Sequence, residues 1–364
     1  MVNNTQSAFR YSSFCTNQTL RIAKQSHSRI DKRILSSTHL LRQSTALVDA
    51  DESMKEEWAY DQHGIRHLVL RSNSNFETYY AAQNTCSSDL EWRECLSAMR
   101  RDLPQAFRVD LQRTSTSGQL INLLKVCANE MEKRSDDDAH EIKVQSKPWC
   151  TNSSIWQITD VSRWKLRDEG LKRTESPSQG NSLLNLRDFI FHENELGHIS
   201  RQELVSQIPV LLLDVQPHHR VLDMCASPGS KTKQVLSFLH SPSPNANNST
   251  EEIMPSGFVL ANEYDPSRCD KLSTCLNRQS SPCLIAVNQD AQRFPDIYTL
   301  DDSTSERKVL KYDRIVCDVP CSGDGTIRKN PTVWQDWNPG CGNARHHVQS
   351  VSYTHLTLPT NREV

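Results

Sequence analysis

No stretch of this chain approaches the roughly 18 consecutive apolar residues that a bilayer-spanning helix needs, so a spanning protein is excluded. Nor is one charge in excess. The 42 basic and 44 acidic side chains leave a net charge of −2 over 364 residues, so a nucleic-acid partner must be met by a local basic patch. Cys317 and Cys321 have a metal-like spacing, but no second Cys/His pair stands where it could complete four ligands, and no metal is expected. The twelve cysteines are irregularly spaced, and Cys225 and Cys317 sit inside apolar strand patterns. Free thiols in a reducing compartment are the expectation, rather than a disulfide framework.

Two nucleotide signatures are also missing. The loop Ser227-Pro228-Gly229-Ser230-Lys231-Thr232 has the Gly, Lys, Thr order of a phosphate-binding P-loop. However, Ser230 separates Gly229 from Lys231, and no glycine stands at the required upstream position. A dinucleotide fingerprint would need three glycines here and finds one.

What is present is a strand, a tight loop and a helix start over Arg220 to Leu239. Val221, Leu222 and Met224 suit a buried parallel strand, and Val235, Leu236 and Leu239 recur at helical spacing beyond the Pro-Gly turn. In open α/β sheets a ligand sits where such a strand ends, because free backbone N–H groups and a positive helix end face the crevice. Three further strands are expected: Phe258 to Ala261, Leu284 to Val287 and Arg314 to Cys317. With a helix from Pro266 to Asn277, they indicate a parallel, doubly wound sheet. Each strand runs into an acid: Glu263, Asp290 and Asp318. One strand-end acid often only caps a helix. Three of them beside a Pro-Gly loop point to an adenosine-containing cofactor, and S-adenosylmethionine is the one the missing glycines leave.

Upstream, residues 1–48 carry seven Lys or Arg and a single acid, Asp31. That composition fits a mitochondrial transit segment and equally an ordinary tail, with no cleavage signal to separate the two. Helices are expected over Glu91 to Met99 and Gly118 to Met131, and a strand over Phe107 to Asp110. Together they make a small α/β module over 76–196, preceded by a poorly ordered segment, 1–75. Arg100, Arg101, Arg108 and Arg113 could face phosphates or form a solvated face. Trp156 and Trp164, with Arg163, Lys165 and Arg167, could stack on RNA bases or fill a core. Charged or polar breaks fall at 132–140, 176–181 and 241–252, and Ile199 to Leu213 reads as a helix aiming the central strand.

The run Leu222-Asp223-Met224-Cys225-Ala226-Ser227-Pro228-Gly229-Ser230-Lys231-Thr232, followed by Tyr312 to Thr326 with its Asp318-Val319-Pro320-Cys321 core, resembles the Sun-family RNA (cytosine-5)-methyltransferases. It is most similar to the eukaryotic multisite tRNA branch. Ile199 to Glu203 and Arg328-Lys329-Asn330 extend the likeness over roughly 76–349. The resemblance implies a Rossmann-like sheet binding S-adenosyl-L-methionine over 197–349, behind an N-terminal RNA-binding module. It implies tRNA as the partner of a monomer, in the nucleus or nucleolus. Carried over by motif, Cys225, Ala226, Ser227, Pro228, Gly229, Ser230 and Lys231 form the cofactor loop. Glu263 is the ribose acid, Asp290 the adenine-side acid, and Asp318 lies between cofactor and target cytosine. Glu263 stands where Asp is usual, and Ser227 where Ala is common.

Cytosine C5 is too weak a nucleophile to take a methyl group directly, so a thiolate first adds to C6. In the family one cysteine of a later Thr-Cys motif does this, and the Pro-Cys cysteine, here Cys321, assists release, with Lys231 supporting the base or a phosphate. No cysteine follows Cys341, which is expected in a Pro-Gly-Cys-Gly loop, and 350–364 continues nothing in the family. The expectation is a truncated product with a foreign tail. Its alternative function is a non-catalytic binder of RNA and cofactor, and a P-loop nucleotidase is disfavoured by the glycine spacing.

Overall fold

The computed structural model describes residues 57–60, 66–112, 114–133, 143–150, 152–162, 166, 182–241, 254–279, 281–300 and 305–357. All of them fall in one unit of mutual contacts, Glu57–Val364. Arg113, Arg163, Trp164, Lys165, Arg167 and the basic segment 1–48 lie outside the described residues, as do most of the three polar breaks.

Described order begins earlier than Phe76. A hairpin of β1 (Glu57–Tyr60) and β2 (Arg66–Val69) precedes helices α1 (Ser74–Ala82) and α2 (Asp89–Arg100). Asn73 caps α1, its side chain accepting from the Phe76 N–H, and Ser88 caps α2 by accepting from Glu91. Beyond them, β3 (Pro104–Val109), α3 (Thr114–Lys133), β4 (Val144–Ser146), β5 (Ile155–Ser162), α4 (Ser182–Glu195) and β6 (Ile199–Arg201) build an antiparallel sheet in the order β4-β5-β3-β6. Leu120 and Leu124 of α3 and Ile190 of α4 close its core over Phe107, Val109, Trp156 and Ile158.

Expectations change here for Ile199 and Arg108, and the choice left open for Trp156 falls to the core. Ile199 does not open a helix: Ile199–Arg201 pairs with β3, and the helix α5 (Leu204–Leu212) starts only after Gln202 and Glu203. The β-branched Ile199 suits an antiparallel edge, and the antiparallel sheet therefore reaches past residue 197. Trp156 is 1% exposed and Arg108 2% exposed, so neither is a surface for RNA. Arg108 instead pairs with buried Asp110 at 3.7 Å, while Arg100 is engaged by Glu77 at 2.9 Å.

The second sheet is all parallel. It is formed by β7 (Arg220–Asp223), β8 (Phe258–Asn262), β9 (Leu284–Val287) and, after a hairpin of β10 (Tyr298–Leu300) and β11 (Arg307–Val309), β12 (Arg314–Val316). Its order is β12-β7-β8-β9. The first strand in sequence is flanked by the second on one side and the fourth on the other, so the winding reverses between β7 and β12, and a crevice opens at their carboxyl ends. Helix α6 (Ser230–Leu239) follows β7, and α7 (Pro266–Leu276) follows β8. Val235, Leu236 and Leu239 pack with Val210, Val221, Val259 and Val316. On α7, Leu272 and Leu276 meet Ala226 and Ala261.

After the Pro-Cys loop come α8 (Val333–Asp336) and α9 (Pro339–Thr357). Cys341 lies in the first turn of α9 rather than in a loop, and the helix runs through 349–350 without interruption. Among the described residues no helix is long and apolar enough to cross a membrane.

Candidate active site

The loop after β7 is held from three sides. Asn262, fully buried, donates to the Met224 and Gln289 carbonyls at 3.0 Å and accepts from the Gln289 N–H at 2.9 Å, tying together the ends of β7, β8 and β9. The Ala226 N–H donates to the Asn262 carbonyl at 2.8 Å. Gly229, with φ +101°, turns the chain into α6, and a Cβ there would stand 3.2 Å from Leu272. Ser227 Oγ donates to the Arg268 carbonyl at 3.1 Å, and the Arg268 guanidinium donates back to the Ser227 carbonyl at 3.0 Å.

Asp223 ends β7 almost wholly buried. Thr232 Oγ1 donates to its Oδ2 at 2.7 Å, while its Oδ1 is buried with no well-formed hydrogen bond. Burial pushes its carboxyl up to about 6, against the lowering effects of Thr232 and Lys231. Burial likewise raises the half-buried Cys225 thiol to about 12, helped by Cys317 and Glu263. Cys225 is thus a protonated wall of the crevice at neutral pH, not a thiolate.

The strand-end acids are placed as their spacing anticipates. Buried Glu263 follows β8; its Oε1 accepts from the Asp265 N–H at 3.1 Å, and Arg268 stands 3.3 Å from Oε2. Asp290 follows β9 and caps the short turn Ala291–Arg293 by accepting from the Gln292 N–H at 2.9 Å. Asp318 follows β12, 60% exposed, and takes a 2.6 Å ion pair from Lys231 in the first turn of α6. That pair spans the point where the winding reverses, joining the Pro-Gly loop to the strand that leads to Cys321. Cys321 itself is exposed. Cys225, Ala226, Ser227, Pro228, Ser230, Lys231, Glu263 and Asp318 are therefore brought to one end of the sheet, with Asp290 at the neighbouring strand end.

Asp223, Asn262 and Arg268 were not singled out from the sequence. Asp223 stands one turn ahead of the loop, at the end of an apolar run, and a buried carboxylate there was legible. Arg268 was hidden because its partners Ser227 and Glu263 lie on other elements. Glu203 was a further silent residue. Burial raises its carboxyl, opposed by the charges of Lys329, Arg328 and Lys231, which places it near the cation that pairs with Asp318. Among the described residues no group of three or more His, Cys, Asp or Glu is arranged to hold a metal.

Residues 210–349 match the family model for 16S rRNA methyltransferase RsmB/F. The chain is 37% identical over 288 residues to the tRNA (cytosine(34)-C(5))-methyltransferase of Drosophila melanogaster, covering 77% of this chain and 36% of that protein. It is 40% identical over 283 residues to the multisite-specific tRNA:(cytosine-C(5))-methyltransferase of Saccharomyces cerevisiae, covering 77% and 38%. Among solved structures, NSun6 from Pyrococcus horikoshii with SFG shares 16% identity and 79% coverage of each chain, at a TM-score of 0.48. The chain thus spans a little over a third of the length of the curated relatives it matches.

Proposed function

We propose that this chain, which carries an RsmB/F-type methyltransferase domain over residues 210–349, belongs to an enzyme that methylates C5 of cytosine in RNA, tRNA foremost, with S-adenosyl-L-methionine as donor. Its similar proteins in Drosophila melanogaster and Saccharomyces cerevisiae bear names that describe this reaction on tRNA. The observation that carries the reading is the 2.6 Å Lys231–Asp318 pair. It draws the Pro-Gly loop and the Pro-Cys loop to one crevice.

The residues fit the donor. Asp223 Oδ1 is a buried oxygen without a well-formed hydrogen bond, buried Glu263 faces the crevice with only the half-exposed Arg268 at its Oε2, and the first turn of α6 offers unsatisfied N–H groups. Residues Cys225 to Lys231 would hold it, with Glu263 and Asp290 as its strand-end acids. Bound there, S-adenosyl-L-methionine supplies an electrophilic methyl group. The chain's own part is electrostatic and positional. Asp318, exposed at its strand end, can accept from the exocyclic amine of a cytosine taken out of its stack. Lys231 holds that carboxylate in place and offers positive charge to the base or a phosphate. The Cys321 thiol, three residues beyond Asp318, serves release once a thiol has added to C6. Towards the RNA, the antiparallel module offers an open groove of about 550 Å³, lined by Lys125, Asn129, Lys143, Gln145 and Ser146, a surface for backbone phosphates. With tRNA and 28S rRNA enzymes among its relatives, the nucleus or nucleolus is the compartment we assign.

The test is incubation of the full-length protein with labelled S-adenosyl-L-methionine and tRNA, followed by nucleoside mass spectrometry. 5-Methylcytidine is expected, and Cys321→Ala should accumulate a covalent RNA adduct. Cofactor binding without 5-methylcytidine on any RNA would leave the binding-protein alternative standing. Failure to bind the cofactor would overturn the assignment altogether.

A further inference from the structure

The loop that carries Cys321 is not supported by the parallel sheet alone. Gly323, with φ +87°, turns it into the short helical turn Asp324–Thr326. Both carboxylate oxygens of Asp324 are then occupied. Oδ1 accepts from Trp337 Nε1 at 2.8 Å, and Oδ2 accepts from the Tyr80 hydroxyl on α1, 244 residues away in sequence. Burial, and then the bond to Asp324, raise the Tyr80 hydroxyl well above its ordinary range. It therefore stays a donor throughout the accessible pH range.

Around this pair the same two segments meet repeatedly. Ile327, Trp334 and Trp337 share a core with Val69, Phe76 and Leu96. The Asn73 side chain donates to the Trp334 and Trp337 carbonyls at 2.8 and 3.2 Å. Arg328 donates to the Arg101 and Asp102 carbonyls at 2.9 and 3.0 Å, and Gln335 donates to the Leu68 carbonyl at 3.0 Å. Residues 68–102 thus form the floor on which the segment after Cys321 is laid.

We infer that Tyr80, Asp324 and Trp337 form a clamp that positions the Cys321 loop, making the N-terminal helices part of the catalytic apparatus and not only a surface for RNA. Tyr80 and Trp337 are positioning residues: they act on Asp324 and, through the Ser322–Gly323 link to Cys321, on the thiol. The inference rests on the reading of Cys321 as a reacting group.

The test separates the two. In the full chain, hydrogen–deuterium exchange reports the amides of Thr326, Ile327, Lys329 and Asn330, which are hydrogen-bonded within the loop. Iodoacetamide labelling followed by mass spectrometry compares Cys321 with Cys317. Asp324→Ala loses both bonds and should speed exchange across 324–330 about tenfold or more, since a hydrogen bond to a charged group is at stake. Tyr80→Phe keeps the ring and loses one bond, so its effect should be smaller. Asp324→Asn can still accept from Trp337 while the tyrosine hydroxyl turns to accept from its amide, and should largely restore protection. Cys321 labelling should change in the same rank order, with Cys317 unmoved. Unchanged loop exchange in Asp324→Ala, or equal loosening of the β7 strand, would overturn the clamp. If the loop loosens as ranked but the full-length enzyme methylates RNA with an unaltered kcat, the clamp stands and the role given to Cys321 falls.

Discussion

The two four-stranded sheets bury charged side chains in opposite ways. In the antiparallel sheet Arg108 and Asp110 sit at the end of β3 and face each other, 3.7 Å apart, both nearly inaccessible. In the parallel sheet Asp223 and Glu263 are as deeply buried, but neither faces a buried cation: at the carboxyl ends of their strands Asp223 accepts from Thr232 at 2.7 Å and Glu263 meets the half-exposed Arg268 at 3.3 Å. A parallel ladder turns all its strand ends the same way, so their polar residues collect at one crevice. An antiparallel ladder alternates its ends and has no such collecting point. Buried charge in the first sheet is therefore closed into a pair, and in the second it collects at the crevice.

The largest effect should come from breaking the structural pair. Arg108→Ala leaves Asp110 buried beside no cation and should cost about 3–5 kcal/mol in urea unfolding. Any cofactor affinity left in the folded fraction should be unaltered; a selective loss of affinity would erase the distinction between the sheets. Next, Asp223 should set a pH dependence. Its folded carboxyl titrates near 6, above the unfolded value near 3.9. Between those values the unfolded state ionises first, so stability should fall as pH rises from about 4 to about 6 and level off above. The drop is on the order of 3 kcal/mol, and Asp223→Asn should flatten it in denaturation curves taken at several pH values.

Lys231→Met should cut methyl transfer by the full-length enzyme by roughly a hundredfold or more. Because Asp318 is 60% exposed, the same change should move stability by less than about 1 kcal/mol. A large loss of stability instead would mark Lys231 as a structural residue. The smallest change is Gly229→Ala, which pairs a disfavoured positive φ with a Cβ 3.2 Å from Leu272. A cost of about 1–2 kcal/mol in thermal unfolding is expected, with weaker cofactor binding.

The parallel sheet was largely legible because each strand is a short apolar run that ends at or just before a polar residue: Val221 to Asp223, Val259 to Asn262, Leu284 to Val287 ahead of Asn288, and Ile315 to Val316 two positions ahead of Asp318. The strand-end acids were legible for the same reason. The antiparallel sheet was read less well. Val144–Ser146 and Ile199–Arg201 are three-residue strands, too short for alternation to register, and Ile199 was absorbed into the helical run that follows it. The β10–β11 hairpin was missed since all six of its residues are exposed and carry no inward pattern. Arg108 could not be assigned from charge alone, as a buried arginine and a phosphate-facing one look identical until a partner is located. Least legible were contacts such as Tyr80 with Asp324, where neither local sequence hints at the other.

The aromatic core under the Cys321 loop also dictates when the protein can fold. Phe76 packs against Trp334 and Trp337, both at ring distances of 5.1 Å, and Asn73 bonds a carbonyl 261 positions further along. At 5–20 residues per second, a ribosome needs about 13 to 50 seconds to make the second half of this core after the first. Through that interval helix α1 has its aromatic face uncovered while the rest of the chain is still being made. Helix α1 is thus made long before the residues that cover it, and it is the stretch a nascent-chain chaperone would have to shield.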